Sequence, residues 1–390
     1  MNFGLKSSHV ASSMSIVAAA LGLAFAPATT QKSLAQTAIN GAGATFPDRL
    51  YRGDGGWFQT YGAPSPAVNP NVTFNYAAVG SGAGINAFLT QVEPSGLPSP
   101  IAFGASDAPL RLSSSTPVPT VTGSPNKGPA IQVPVVAGAV AIPYNRTNLN
   151  IPSAGLRLSR STYVGIFNGN ITNWNDSRIT ADNGRKLTSN LPIQVVRRAD
   201  SSGTTFLLSN HIETVDDSTP FNWTRGVGTT VNWPSSFLSA SGSSGVAARV
   251  ASTTGAIGYV EQAFTTSPTR LSTAALQNQA GGYVAPSVSA VTTALTGATD
   301  QDSDPRIITI LVPNPTASGS YPIVGVTYQL YYDDYASSAV AAGIRGFIGW
   351  AEGTSQADSI ATSRFYAPLP SSLKTTVRNL VNTYVDTDPN

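Results

Sequence analysis

Cysteine is absent from all 390 residues, histidine occurs twice, and charged residues make up only 11% of the chain. Without cysteine the fold needs no disulfide framework, and a lipid anchor through an N-terminal cysteine is excluded. No cluster of histidines and carboxylates stands at metal-ligand spacing, so metal catalysis has nothing to build on and no cofactor is expected. With 22 basic against 20 acidic residues, the chain lacks the basic face through which a nucleic-acid binder works. Beyond the first segment no run of about 18 apolar residues occurs, so no membrane span is expected. Any anion would be held by a local site and not by a broad field.

The first segment, 1–35, has Lys6, an apolar run from Val17 to Ala26, and Ser33-Leu34-Ala35. This pattern predicts an export signal cleaved after Ala35, its apolar core being too short to span a bilayer stably. The segment holds Lys6 and Lys32 and no acid, so the exported chain is formally neutral. Its length is more than one typical core can organise, and two domains are expected.

One stretch carries the densest chemistry. Ile193-Gln194-Val195-Val196 reads as a strand, followed by Arg197-Arg198-Ala199-Asp200-Ser201-Ser202-Gly203-Thr204 and then the apolar stripe Phe206, Leu207, Leu208 and Ile212. Side chains alternate along a strand, so only one of the two arginines faces a given cleft. Ser202, Gly203 and Thr204 sit at a helix start, whose unpaired amides and positive dipole end suit an anion. Arg198 adds a planar fork of donors. Asp200 is placed either to orient that fork or to cap the helix. The plain alternative is an ordinary capped helix with a surface ion pair.

Elsewhere the same device recurs. Ile39 to Pro47 reads as a Gly-rich turn entering a helix that carries Leu50, Tyr51, Trp57, Phe58 and Tyr61, which puts Thr45 and the Phe46 amide at its start. A strand over Val72, Phe74 and Tyr76 leads to Gly80-Ser81-Gly82, either a polar helix start or a flexible turn. Ile101 to Ser106 reads as a buried strand ending in Asp107, a binding carboxylate or a turn residue. Residues 113–134 look like a surface loop, and Val135 to Tyr144 like a buried run that passes between domains. Ser239 to Gly245 reads as a loop before a helix near Val246. The run from Pro322 to Tyr331 mirrors the earlier one as a return crossing, with helices following over Ala339 to Trp350 and Leu373 to Tyr384. Strand or glycine turn feeding a polar helix start is the arrangement by which α/β folds place their ligands.

Six stretches carry a family resemblance: Gly41-Ala-Gly-Ala-Thr-Phe-Pro47, Gly80-Ser81-Gly82, Phe103-Gly-Ala-Ser-Asp-Ala-Pro-Leu110, Val195-Val-Arg-Arg-Ala-Asp-Ser-Ser-Gly-Thr204, Gly255-Ala-Ile-Gly-Tyr-Val-Glu261 and Tyr366-Ala-Pro-Leu-Pro370. Together they resemble the periplasmic phosphate-binding proteins of bacterial phosphate ABC transporters. The resemblance implies a two-lobed α/β periplasmic-binding-protein fold (type II), with the ligand cleft between lobes joined by two crossing strands. It implies lobes of residues 36–140 with 326–390, and of 141–325. It implies phosphate binding by Thr45, Phe46, Ser81, Asp107, Arg198, Ser202, Gly203 and Thr204, with Asp200 supporting the arginine. Gly82 stands where the family often has a second serine, and Ser201 where a glycine is frequent. The implied partners are inorganic phosphate and the membrane permease of such a transporter, served by a periplasmic monomer. A related alternative is a secreted phosphate-sensing or buffering protein with weak phosphatase-like activity.

Two other classes are weaker. A Ser-His-Asp hydrolase would have to use His211, which reads as a flank residue of the helix after the anion site, and no Gly-x-Ser-x-Gly elbow is present. A surface-layer protein would explain the abundance of Ser, Thr, Ala and Gly but has no need of three polar helix starts.

Overall fold

The computed structural model describes Met1 and residues 36–64, 66–266 and 268–387. Apart from Met1, the export segment expected at 1–35 lies outside the described residues. Three strands lie side by side in parallel because each is an apolar run followed by a helix or turn that carries the chain back: Thr37–Gly43 pairs with Val72–Ala78 on one side and Ile101–Ser106 on the other. Two long antiparallel strands, Lys127–Ala141 and Val324–Asp334, extend the sheet, and the short Thr120–Val121 and Val260–Glu261 pair with the first of them. Almost every residue of both is buried, as expected for strands covered on both faces.

A smaller sheet holds the parallel strands Leu238–Ala240, Gln194–Arg198 and Ala256–Gly258, continued beyond the last by the antiparallel Pro143–Tyr144 and then Ser272–Thr273. The chain runs from Lys127–Ala141 through Ile142 directly into Pro143–Tyr144, and so from one sheet to the other. It meets the large sheet again where Val260–Glu261 pairs with Ala141 and Val140. A third sheet of three short strands, Arg157–Leu158, Ala275–Gln277 and Tyr283–Val284, accompanies them, and this mixed α/β architecture is the expected fold class. Among the described residues no helix is long and apolar enough to cross a membrane.

Several local expectations change. Gly41 to Gly43 lie in a strand and not in a turn, because the neighbouring strands leave room only for small residues: a Cβ on Gly41 would fall 2.0 Å from the Phe103 ring. The helix expected after Pro47 is two short ones, Asp48–Tyr51 and Trp57–Tyr61, interrupted by Gly53, Gly55 and Gly56. Its five aromatic and aliphatic residues are nonetheless all buried. They join Phe74, Tyr76, Phe103, Phe347 and Trp350 in one aromatic core. Residues 113–134, read as a loop, contain the strand Thr120–Val121 and the start of the long strand at Lys127. Proline within a central strand masked it. Pro134 is tolerated at a bulge, where Thr327 pairs with Val136 and Tyr328 with Pro134, leaving Val135 as the extra residue.

Candidate functional site

Arg198 is the last residue of the strand Gln194–Arg198 and is 3% exposed, whereas Arg197 is only half-buried and turns its guanidinium to the Arg198 carbonyl. Alternation thus selects Arg198. Its Nε donates to Asp200 Oδ1 at 2.7 Å, and its second terminal nitrogen pairs with Asp200 Oδ2. Asp200 also accepts from the Gly242 amide at 2.9 Å. Burial alone would raise the Asp200 carboxyl, but the Arg198 fork and the Gly242 amide outweigh it and hold the carboxyl below its ordinary value. Of the two roles open from sequence, Asp200 takes the arginine, while Ser202 caps the helix by accepting from the Thr205 amide at 3.2 Å.

With its fork held, Arg198 presents its remaining nitrogen, which lies 3.4 Å from both Thr204 Oγ1 and Ser243 Oγ. Ser243 is 2.9 Å from Thr45 Oγ1. The Gly203 amide donates to Ser81 Oγ at 3.0 Å, and Ser81 lies 3.5 Å from Asp107 Oδ2 and accepts from the Asp107 amide. Thr45, Ser81, Asp107, Arg198, Ser202, Gly203 and Thr204 are therefore brought into one buried polar cluster from stretches up to 159 residues apart. Phe46 joins through its backbone: its ring packs edge-on against Tyr366, and its amide has no hydrogen-bond partner among the described residues.

Asp107 is the carboxyl group that faces these donors without being paired in two-pronged fashion to the arginine, as Asp200 is. Burial pushes its carboxyl up to about 7, against the opposing pull of the Thr327 hydroxyl, Arg198 and Ser81. The cluster can therefore donate to an anion from many sides and exchange one proton with it. That combination suits a tetrahedral oxyanion carrying a proton.

Sequence reading missed three residues of this site. Ser243 sits in the first turn of the helix Gly242–Ser252, which begins before the expected Val246; Gly242-Ser243 after a short strand was the same polar helix-start signal found elsewhere. Thr327 lies inside the return strand and donates to Asp107 Oδ1 at 2.8 Å. Tyr259 places its hydroxyl 2.7 Å from Thr205 Oγ1 and accepts from the Arg198 amide. A single sequence carries no local sign of either role.

His211, read as a flank residue, is fully buried, and its two ring nitrogens lie against the Tyr163 hydroxyl and the Pro313 carbonyl. Both nitrogens are engaged, so it has none to offer as a base for Ser81 or Ser202. Among the described residues no group of three or more His, Cys, Asp or Glu is placed to hold a metal ion.

A family model described as the PBP superfamily domain matches residues 28–352. The phosphate-binding protein PstS of Xylella fastidiosa (strain Temecula1 / ATCC 700964) is 32% identical over 353 residues, covering 89% of this chain and 86% of its own. Phosphate-binding protein PstS 3 of Mycobacterium leprae (strain TN) is 33% identical over 316 residues, 80% of this chain and 79% of its own. Among solved structures, a high affinity periplasmic phosphate-binding protein (PfluDING) bound with phosphate superposes with a TM-score of 0.66 at 26% identity, covering 88% of this chain and 93% of that one.

Proposed function

From the chain's membership of the PBP superfamily, and within it of the PstS phosphate-binding proteins, we propose that it captures inorganic phosphate in the periplasm and delivers it to an ABC-type importer. The observation that carries this reading is the buried Arg198 fork, held by Asp200 beside Thr204 and Ser243 and faced by Ser81 and Asp107.

In this reading phosphate sits among the Arg198 guanidinium, the Thr45, Ser81, Ser202, Thr204 and Ser243 hydroxyls and the Phe46, Gly203 and Thr204 amides. Gly203 exchanges its Ser81 hydrogen bond for one to the ligand. Asp107 accepts the proton that phosphate still carries near neutral pH. Sulfate has no such proton, and its oxygens would face a bare carboxylate. A lobe of residues 36–140 and 326–390 closes against a lobe of residues 141–325, and release follows reopening at the permease. The protein acts as a monomer without turnover of substrate, after export and cleavage near Ala35. This reading draws support from the relatives' names and from His211, whose two ring nitrogens are engaged away from the hydroxyls.

Calorimetric titration of residues 36–390, unfolded and refolded to remove carried-over anion, tests it. Phosphate binding at micromolar affinity or tighter, about 8 kcal/mol or more, with no response to sulfate on the alkaline side of about 7, where Asp107 is ionised, is the expected result. A folded, ligand-free protein giving no phosphate heat would overturn the function, and equal binding of both anions would overturn the role of Asp107.

A further inference from the structure

Glu261 has no part in the phosphate site described above, yet it is completely buried and lies two hydrogen bonds away from Phe46. Its Oε1 accepts from the Ala263 amide at 2.6 Å, and its Oε2 is 3.1 Å from the Tyr366 hydroxyl. The same hydroxyl is 2.6 Å from the Phe46 carbonyl. The three groups can be counted for protons. A carbonyl only accepts, and a phenol has one proton to give. With that proton on the Phe46 carbonyl, the second contact is a hydrogen bond only if Glu261 carries a proton on Oε2 and donates it to Tyr366.

We propose that Glu261 is a neutral hydrogen-bond donor which, through Tyr366, holds the Phe46 carbonyl and so positions the Thr45–Phe46 donor pair of the anion site. The role rests on the phosphate reading above. Glu261 is a positioning residue and touches no ligand. The Tyr366 ring also packs edge-on against Phe46, and the Ala367 backbone pairs with Ala137, which anchors the relay to the long crossing strand. Burial raises the Glu261 carboxyl well above its ordinary value, helped by the negative charge of Asp107; the Ala263 amide, the Tyr366 hydroxyl and Arg49 oppose. Asp48 and Asp107 act in the same sense on Tyr366, which burial already keeps neutral. Ionising Glu261 would draw the Tyr366 proton to itself, release the Phe46 carbonyl and add a negative charge behind the anion site.

Phosphate titrations of wild type, Glu261→Gln and Tyr366→Phe test the relay, together with infrared difference spectra. Glutamine keeps a donor toward Tyr366 and cannot ionise. It is expected to bind within about twofold of wild type near neutral pH, whereas Tyr366→Phe loses about tenfold. As the pH is raised above neutral, wild type is expected to weaken more steeply than Glu261→Gln, the comparison cancelling the titration of phosphate itself. The wild-type minus Glu261→Gln spectrum should show a protonated-carboxyl band at neutral pH, a subtraction that removes the contribution of the buried Glu352. Absence of that band, or unchanged phosphate binding by Tyr366→Phe, overturns the proposal. The spectrum needs no ligand: a wild type that binds no phosphate would overturn the anion reading and the positioning role while the band still reports the proton on Glu261. If Glu261→Gln does not fold, Tyr366→Phe alone decides.

Discussion

The Thr327 hydroxyl donates to Asp107 Oδ1 at 2.8 Å across 220 residues of sequence. The contact exists because Val324–Asp334 runs antiparallel to Ile101–Ser106 with Tyr328 opposite Ser106, which sets Thr327 beside the carboxylate that follows the shorter strand. One Asp107 oxygen is thereby occupied, and the other is left toward Ser81 and the anion.

Asp107→Asn is expected to reduce the preference for phosphate over sulfate. An amide can donate to sulfate and no longer repels it, whereas a buried carboxylate facing an unprotonated anion costs about 1 to 3 kcal/mol or more. Competition titrations with the two anions read the ratio; an unchanged ratio would defeat the assignment.

The same group predicts a pH dependence. With the free-protein carboxyl at about 7, lowering the pH through that value protonates Asp107 and turns an acceptor into a donor. Sulfate binding by wild type should therefore strengthen from about pH 8 to about pH 6, and the slope should vanish in Asp107→Asn. Isothermal titration with sulfate across that range checks both.

Gly203→Ala tests the close approach of the two helix starts. A Cβ at Gly203 would lie 2.4 Å from Ser81 Oγ and 2.6 Å from Asp107 Cβ. Since alanine is otherwise welcome in a first helical turn, the variant should fold normally yet fail to bring these groups together. Phosphate affinity should fall at least tenfold, about 1.4 kcal/mol, and solution scattering should show no compaction when phosphate is added. Wild-type affinity in this variant would mean that the contact is not part of the bound state.

Arg198→Lys keeps the charge but cannot grip Asp200 with two nitrogens while offering a third. A loss of about 10- to 100-fold in phosphate affinity is expected, from charge-assisted bonds of about 1.5 to 3 kcal/mol. Asp200→Asn should weaken binding less, because the arginine remains but loses its orientation. Calorimetry on both variants orders the two effects, and the reverse order would contradict the supporting role of Asp200.

Burial depresses His211 from 6.5 to about 4 in the folded protein, overcoming the Pro313 carbonyl, which favours the charged ring. The unfolded chain therefore binds a proton between these values that the folded chain does not, and stability falls as the pH drops through 6.5 toward 4. At about pH 5 the loss attributable to His211 is about 2 kcal/mol. Urea unfolding of wild type and His211→Gln at about pH 7 and about pH 5 should show a smaller acid destabilisation in the variant; equal slopes would contradict the depressed value.

How much could be read beforehand varies residue by residue. Arg198, Asp200 and the helix start at Ser202 to Thr204 were legible because alternation, capping and amide exposure act within about ten residues. Ser81 and Thr45 were legible for the same reason. Ser243 carried the same signal but was read as part of a Ser/Gly loop, since those residues also make flexible turns. Thr327 sits inside a buried strand and Tyr259 between two short ones, and their apolar neighbours conceal their polar tasks. His211 was misread because its surroundings come from the distant Tyr163 and Pro313.

The sequence by itself determined the local devices: strands that end in charge, helix starts free of bulky residues, and apolar runs long enough to be buried. These depend on backbone sterics and on hydrogen bonding over a few residues. Only the tertiary structure decided which devices face one another, which Asp107 oxygen is left for a ligand, and that Glu261 reaches Phe46 through Tyr366. Those outcomes depend on strand register and on desolvation. Both belong to the packed protein, because a one-residue shift between strands would turn Thr327 away from Asp107 without changing any local preference.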